Sequence, residues 1–222
     1  MANQIVRVLE TNFVTHNVKR FVLERPAGLT FVSGQATELS INKPALENEV
    51  RPFTFTSVNS LSSIEFMIKI YTGHNGVTEK LAKINVGDEL IVHDVFGTIM
   101  FEGEGVFIAG GAGITPFISI LRELRLQNKL VGNTLLFANR ATEDIILKGE
   151  LNELLGKSFL NILEKPEDPK EQGKRIDKDL LKQYVEKGTK HYYICGPAKF
   201  TAAMIENLET LGVQKSQIVF EQ

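Results

Sequence analysis

Val106-Phe107-Ile108-Ala109-Gly110-Gly111-Ala112-Gly113-Ile114-Thr115-Pro116 decides how this chain is read. The four leading apolar residues have the character of a short buried strand. They run straight into glycines, and Thr115 and Pro116 stand where a helix would open. Thr115 is suited to cap that helix and Pro116 to take its first helical position. Glycines let a backbone come close to a pyrophosphate, and a helix N-terminus offers free N–H groups and partial positive charge. The stretch is therefore either a phosphate cradle, with Gly111 and Gly113 as its anchors, or only a tight strand-to-helix turn packed on a sheet. It departs from the common dinucleotide fingerprint, because Pro116 occupies the place of a third glycine.

Downstream of this stretch, apolar runs alternate with helical ones. A helix is expected over Pro116 to Leu126, a strand over Thr134 to Ala138 and a helix over Leu147 to Leu155. A strand at Phe159 to Leu163, a helix at Asp177 to Val185 and a strand at Tyr192 to Cys195 follow. Pro197 to Leu211 reads as a helix and Ile218 to Phe220 as a last strand. Such alternation implies an α/β domain of Rossmann-like type, a parallel sheet with helices on both faces. The stretch from Glu164 to Lys174, polar with two prolines, reads as a surface loop.

Upstream the texture differs. Ile5 to Leu9, Lys19 to Leu23, Thr37 to Ile41 and Ile64 to Ile70 are short bursts of strand character. Turn signals at Pro26-Ala27-Gly28, Ser33-Gly34, Asn42-Lys43-Pro44 and Val86-Gly87-Asp88 separate them. One short helix is expected, from about Val77 to Lys83. Many short strands with frequent turns indicate a small antiparallel β-barrel. The change of texture after Phe101-Glu102-Gly103-Glu104-Gly105 divides the chain into a barrel domain, 1–100, and an α/β domain, 101–222.

Composition narrows the function classes. A chain of 222 residues with 43% hydrophobic content builds proper cores without staples. Its 25 lysines and arginines against 27 acids leave a net charge of −2, so no broad basic field for nucleic acid is expected. Cys195 is the single cysteine. Alone it makes no intrachain disulfide, iron–sulfur cluster or cysteine-based zinc site, and the composition suits a reducing cytoplasm. His16, His74, His93 and His191 have no paired ligand spacing, so no metal is expected. Met1 to Arg7 lacks the apolar run of a signal peptide. The uncharged run Gly105 to Leu121 is broken by glycines and Pro116, so no membrane span is expected.

Three further segments carry chemistry. Arg51-Pro52-Phe53-Thr54 puts a charge, a ring and a hydroxyl in succession, which is either an edge strand with a solvated arginine or a ligand seat. Tyr71-Thr72-Gly73-His74-Asn75-Gly76-Val77-Thr78 leads into the short helix, and Gly76 and Thr78 have the look of a second phosphate-binding helix start. Asn139-Arg140 stands at the end of the strand after the glycine turn, where an NAD site usually carries an acid for the ribose. Arginine is instead a fork suited to a 2′-phosphate, and Arg175 is a candidate second clamp; Asp144 opposes that reading. Either arginine alone is more commonly a solvated surface charge; the two together favour NADPH.

These residues resemble the ferredoxin–NADP reductase family, flavin-dependent oxidoreductases. Arg51-Pro-Phe-Thr54 is similar to its Arg-x-Tyr-Ser/Thr motif, and Gly76-Val-Thr78 to its second flavin motif. Gly111-x-Gly-x-x-Pro116 resembles its nicotinamide-nucleotide motif, Cys195-Gly196-Pro197 its Cys-Gly-Pro signature, and Ser33-Gly34-Gln35 its early Pro-Gly-Gln turn. The five motifs stand in family order from about residue 4 to the C-terminus. Leu135 to Asn139 and Asp144 to Leu147 are also similar to the NADH–cytochrome reductase branch.

The resemblance implies FAD seated in the barrel and NADP(H) in the α/β domain, with NAD(H) as the other candidate. Carried over, Arg51 pairs with the FAD pyrophosphate, Phe53 packs on the flavin ring and Thr54 bonds near its N5. Lys69, Tyr71, Gly76, Val77 and Thr78 complete the flavin-binding set. Gly111, Gly113, Thr115, Pro116, Asn139, Arg140, Arg175, Cys195 and Gly196 form the nicotinamide-nucleotide set. Cys195 would approach the nicotinamide ring; a buried core cysteine is the remaining alternative, and Gly196-Pro197 speaks against it. Glu221 matches the family's near-terminal glutamate that supports proton handling, or is a solvated terminal charge. Thr54, Cys195 and Glu221 are the candidate catalytic residues. Phe53 lacks the family's tyrosine hydroxyl, and Phe220-Glu221-Gln222 supplies no terminal aromatic cover, so an open nicotinamide-facing side is expected.

The expected reaction is hydride transfer from NADPH to FAD and one-electron transfer to flavodoxin or ferredoxin. A free-flavin reductase and the reductase component of an oxygenase are the neighbouring alternatives. A flavin-binding redox sensor or regulatory subunit is the alternative without turnover.

Overall fold

A computed structural model describes residues 3–97, 99–167 and 173–221. Met1 and Ala2 of the amino-terminal reading, the middle of the 164–174 loop and the terminal Gln222 lie outside the described residues.

The first six strands are β1 (Gln4–Phe13), β2 (Val18–Glu24), β3 (Ala36–Ile41), β4 (Arg51–Thr54), β5 (Ser63–Lys69) and β6 (Glu89–Phe96). They form one antiparallel sheet in the order β4-β3-β6-β1-β2-β5. Just past β4, the Thr56 N–H donates to the Glu65 carbonyl at 2.8 Å, which brings the two outer strands together and curls the sheet into a barrel. Phe21, Leu39, Phe55 and Phe66 fill its interior, with Phe31 stacked on Phe55 at 4.0 Å between centroids.

β6 has no counterpart among the expected strands. Leu90, Ile91 and Val92 are all buried, so the run lacks the strict alternation that marks a half-exposed strand. The short helix α1 (Val77–Leu81) buries Val77 and Leu81 in the barrel. The buried Lys19 closes its far end, its Nζ donating to the Ala82 and Ile84 carbonyls at 2.9 and 2.6 Å.

The second half holds five parallel strands: β7 (Gly105–Gly110), β8 (Thr134–Asn139), β9 (Phe159–Leu163), β10 (His191–Cys195) and β11 (Ile218–Phe220). Their order is β11-β10-β7-β8-β9. The helices are α2 (Thr115–Leu126), α3 (Lys148–Leu155), α4 (Lys178–Val185) and α5 (Ala198–Thr210). Strand residues alternate between two cores. Phe107, Leu135 and Phe137 pack with Phe117, Leu121 and Leu151 of α2 and α3 on one face. Val106, Ile108, Leu136 and Ile194 pack with Leu181, Met204 and Leu208 of α4 and α5 on the other. Burial on both faces is why these strands are continuous apolar runs. The Asp177 side chain caps α4 by accepting from the Leu180 N–H at 2.8 Å.

One local expectation is corrected. Thr115 does not cap α2. A 3-10 turn over Gly111–Ile114 precedes the helix, Thr115 is already helical, and its hydroxyl donates to the Ala112 carbonyl at 3.1 Å. The glycines let that extra turn form, so the chain enters the helix without a side-chain cap and Pro116 follows inside its first turn.

The two halves meet along α2 and β5. Ile64, Phe66 and Ile68 point into the barrel. Met67, on the opposite face, joins Val18 and Ile99 in the core built around Phe117, Ile118 and Leu121. Burial against both the sheet and the barrel explains why every residue from Phe117 to Leu121 is buried, Ser119 included. Among the described residues no helix is long and apolar enough to cross a membrane.

Candidate cofactor site

Strand order reverses beside β7: β8 and β9 lie on one side, β10 and β11 on the other. The crevice beyond the carboxyl ends at such a switch point is the usual ligand site of an open parallel sheet. Here Gly111 follows β7 and Gly196 follows β10. Both line a cleft of about 1420 Å³ whose opposite wall comes from the barrel, through His16, Asn17, Val18, Lys69 and Tyr71. Gly113, Asn139, Arg140 and Arg175 line the same cleft.

The cleft has the chemistry of a dinucleotide seat. Lys69, Arg140, Lys165, Lys174, Arg175, Lys178 and Lys199 outnumber Glu143, Asp144, Glu164 and Asp177 along its walls, on a chain whose net charge is −2. Asn139 is only 7% exposed, yet both polar atoms of its carboxamide lack partners within the protein. A buried amide left open on both ends is costly unless a ligand or water completes it. Gly111 adopts a left-handed φ of +53° with open space around its α-carbon, so its backbone is free to meet a phosphate.

The charged candidates sit differently from one another. Arg140 is exposed at the end of β8, with no acidic partner among the described residues. Arg175 is exposed too, but its Nε holds Glu164 Oε1 at 3.1 Å. Asp144 is turned inward: one oxygen accepts the Ala141 N–H at 3.1 Å and the other stands 3.7 Å from His16 Nε2.

The barrel candidates occupy a separate region. Arg51 and Phe53 lie on β4. The exposed Arg51 donates to the Val50 carbonyl at 2.6 Å and meets no carboxylate among the described residues, so its fork is available to an anion. Phe53 is half-buried, with one side on the barrel core. Thr78 accepts the Tyr71 N–H at 3.2 Å, which folds the Tyr71–Thr78 loop over the start of α1. Lys69 Nζ stands 5.9 Å from the Tyr71 ring centroid. Val77 is only 3% exposed and spends its side chain on the core, leaving just its backbone for a ligand.

Thr54 lines a void of about 10 Å³ with Gly34, Pro116 and Glu221. That void joins the two sets: Thr54 belongs to the barrel, Pro116 to the first turn of α2 behind the glycines, and Glu221 directly follows β11. Burial, with the charge of Glu221 adding to it, pushes the Cys195 thiol up to about 12. It is a neutral thiol at physiological pH, placed to pack rather than to attack.

Several cleft residues escaped the sequence reading. The Phe200 ring lies against Gly110 and Gly196 and forms part of the wall; helical spacing alone gave no sign of it. Glu164 stands at the end of β9, one strand beyond the place where a ribose-binding acid was sought. The His16–Val18 turn reaches the cleft only through tertiary packing.

Known proteins share this fold. Residues 107–206 match the family model described as an oxidoreductase NAD-binding domain. The reductase component of propane 2-monooxygenase from Rhodococcus jostii is 31% identical over 89% of this chain, which spans 56% of that protein's length. An NADH-cytochrome b5 reductase 1 from Coccidioides immitis is 28% identical over 95% of this chain and 75% of its own. A ferredoxin NADP+ reductase from Neisseria gonorrhoeae, solved with FAD and NADP, superposes with a TM-score of 0.85 at 22% identity, covering 100% of this chain and 98% of that one. The CS-b5R domains of human Ncb5or, in the NAD+ form, give 0.85 at 26% identity over 99% of this chain and 69% of that one.

Proposed function

We propose that this chain, a flavin-dependent NAD(P)H oxidoreductase of the ferredoxin–NADP reductase-like family, takes its electrons from NADPH and delivers them singly to a small ferredoxin or flavodoxin. The observation that carries the reading is the meeting of Thr54, Pro116 and Glu221 around one void, where the barrel seat and the glycine turn adjoin. The residues present fit both cofactors: an unpaired Arg51 beside a half-buried ring, and a cationic cleft with an open amide. We place the FAD domain at residues 1–100 and the nucleotide domain at 101–222, working in the cytoplasm.

FAD, when bound, supplies a ring that accepts a hydride and releases electrons one at a time. The protein's part is orientation and electrostatics. Arg51 neutralises the pyrophosphate of the flavin nucleotide, Phe53 supports the ring, and Thr54 offers its hydroxyl at the ring edge. Lys69, Tyr71, the backbone from Gly76 to Val77, and Thr78 hold the rest. Across the seam, Gly111 and the turn to Pro116 anchor the donor's phosphates, Asn139 offers donor and acceptor together, and Arg140 takes the 2′-phosphate. Cys195 and Gly196 close the wall beside the donor ring and exclude water. Glu221 holds or releases a proton at the seam.

A second donor is favoured by one observation. Glu164 lines the cleft and already neutralises Arg175, which is the chemistry of a site that accepts ribose hydroxyls and refuses a phosphate. NADH is the donor under that reading. The Rhodococcus relative likewise supports an oxygenase component as an alternative acceptor.

The test is anaerobic. FAD-loaded protein is mixed with NADPH or NADH, and flavin absorbance is followed before and after adding ferredoxin, flavodoxin or a haem carrier. Rapid bleaching, with return of colour on adding a carrier, is expected. A protein that retains FAD but stays yellow under both nucleotides is a sensor or binding module instead.

A further inference from the structure

We infer that the Glu65–Arg122 pair is a positioning device that registers the barrel against the sheet and so fixes the distance between the two nucleotide seats. The inference rests on the proposed function, since it concerns the relation of those seats.

Glu65 lies on the outer face of β5 and Arg122 on α2, so their bond crosses the seam. Their side chains are 9% and 23% exposed. Arg122 Nη1 donates to Glu65 Oε1 at 2.6 Å and to the Thr56 carbonyl at 2.8 Å. Its Nε and Nη2 grip both oxygens of Glu150, on α3, at 2.5 and 2.8 Å. Glu65 is completed from the barrel side by Arg20 Nε at 2.6 Å and the Thr56 hydroxyl at 2.8 Å. Every oxygen and nitrogen named here has a partner, in a place most of which is dry.

Such a cluster contributes little net stability, because desolvation offsets most of its Coulomb attraction. What it supplies is registry. The apolar contact beside it, Val18 and Met67 on Phe117 and Leu121, tolerates sliding, since dispersion has no direction. A planar guanidinium held by Glu150 on one edge has a single pose in which its remaining N–H groups reach Glu65 and Thr56.

That pose is wired to both seats by short covalent paths. Thr56 is two residues from Thr54 on the barrel side. Arg122 stands six residues past Pro116 along α2, a rigid rod. Lys69 is on the same outward stripe of β5 as Glu65 and lines the cleft. A second bond across the seam, the Gly34 N–H to Ser119 Oγ at 3.0 Å, depends on the same registration.

The test compares Glu65→Gln and Arg122→Lys with Glu150→Gln in the full-length, FAD-loaded protein. Glu150 shares the sheet domain with Arg122, and the glutamine carbonyl oxygen still accepts from the guanidinium edge, so this variant keeps the pose and leaves the crossing bonds in place. Three readouts are taken: FAD retained per chain, hydrogen exchange at the Gly34 amide without nucleotide, and the flavin-bleaching rate at saturating NADPH and NADH. For Glu65→Gln and Arg122→Lys, FAD retention is unchanged, Gly34 exchanges faster, and bleaching slows about ten- to a hundred-fold, the scale of an ångström-sized misplacement. Glu150→Gln slows bleaching by no more than about two-fold, as for loss of a partly exposed pair.

Variants that bleach at the wild-type rate overturn the inference, as does an unchanged Gly34 exchange in both. Equal slowing by Glu150→Gln also overturns it, by pointing to the integrity of α2 alone. Should Glu65→Gln fail to fold, Arg122→Lys, which keeps the charge, decides. A wild-type protein that holds FAD and is bleached by neither nucleotide refutes the proposed function instead; exchange at Gly34 and NADP+ affinity by calorimetry then decide whether the pair registers the cleft.

Discussion

The α-carbon of Gly113 lies so close to the Cys195 carbonyl that no side chain fits between them. The two residues end neighbouring regions of the parallel sheet, the turn after β7 and the tip of β10. Gly113 is therefore needed for packing between strand ends, whereas Gly111 faces open space and is needed for its left-handed backbone. The expectation that both glycines serve phosphate approach thus divides into two physical causes. Gly113→Ala must push one backbone from another and is predicted to cost about 1–3 kcal/mol or more. Gly111→Ala carries a conformational cost of about 1–2 kcal/mol and a larger relative loss of nucleotide affinity. Thermal melts and NADP+ titrations of the two variants check this; a Gly111→Ala variant that loses no more nucleotide affinity than Gly113→Ala would contradict it.

Cys195 is held as a thiol by burial and by the nearby Glu221 charge, with a pKa pushed up to about 12 from 9.0. It is predicted to react with a thiol-specific disulfide reagent at pH 8 roughly a hundred-fold or more slowly than in the denatured chain. The sign for stability follows. The folded value is raised, so the contribution is complete below the unfolded pKa and drains away as pH rises from about 9 toward 12. Cys195→Ser is predicted to flatten that alkaline loss. A fast, stoichiometric reaction of the native thiol at pH 8 would show that the site is open and the thiol ordinary.

Much of this architecture was legible because the parallel strands are buried on both faces. Val106 to Ala109 and Leu135 to Ala138 are apolar without alternation, and polar, helix-spaced stretches divide them. β6 was not legible, because the burial of Leu90, Ile91 and Val92 erased its period of two. The role expected of Thr115 failed because nothing in Gly111 to Ile114 announces a 3-10 turn. Glu65 and Arg122 were invisible for a different reason. A glutamate in a strand and an arginine in a helix read as solvated charges, and only folding brings together residues 57 positions apart. The motif residues were found singly, while the cleft they share with Phe200, Glu164 and the His16 turn is a product of packing.

Arg140 and Glu164 give opposite forecasts for the donor. A charge-assisted contact to a 2′-phosphate is worth about 1.5–3 kcal/mol, or roughly ten- to a hundred-fold in binding. Arg140→Ala is predicted to raise KM for NADPH by that factor and to leave NADH within about two-fold, because NADH has no phosphate for it to hold. Glu164→Gln is predicted to weaken NADH and to spare or improve NADPH. Steady-state kinetics with both nucleotides distinguish the two. Equal losses with both donors after Arg140→Ala would assign that arginine to the general field of the cleft.

Glu65 makes the seam acid-sensitive. Burial by itself raises its pKa, but the Arg122 charge and the hydrogen bonds from Arg122, Arg20 and Thr56 win and hold it below the ordinary 4.5. A depressed carboxylate contributes stability that is complete above its unfolded pKa and is lost as pH falls through the folded one. The window therefore opens at about 4.5 and extends downward. At neutral pH, Glu65→Gln is predicted to cost up to about 3 kcal/mol, since Arg122 and Arg20 lose their shared counter-charge in a dry place. Below pH 4.5 the unfolded wild type takes up a proton that the folded protein resists, so the gap between the two proteins should narrow as pH falls. Denaturant melts at pH 7, 5 and 3.5 check this, with moderate salt changing the gap little because the pair is shielded from the screening ions. A gap that stays constant to pH 3.5 would mean that the seam does not hold the Glu65 carboxyl below its ordinary range.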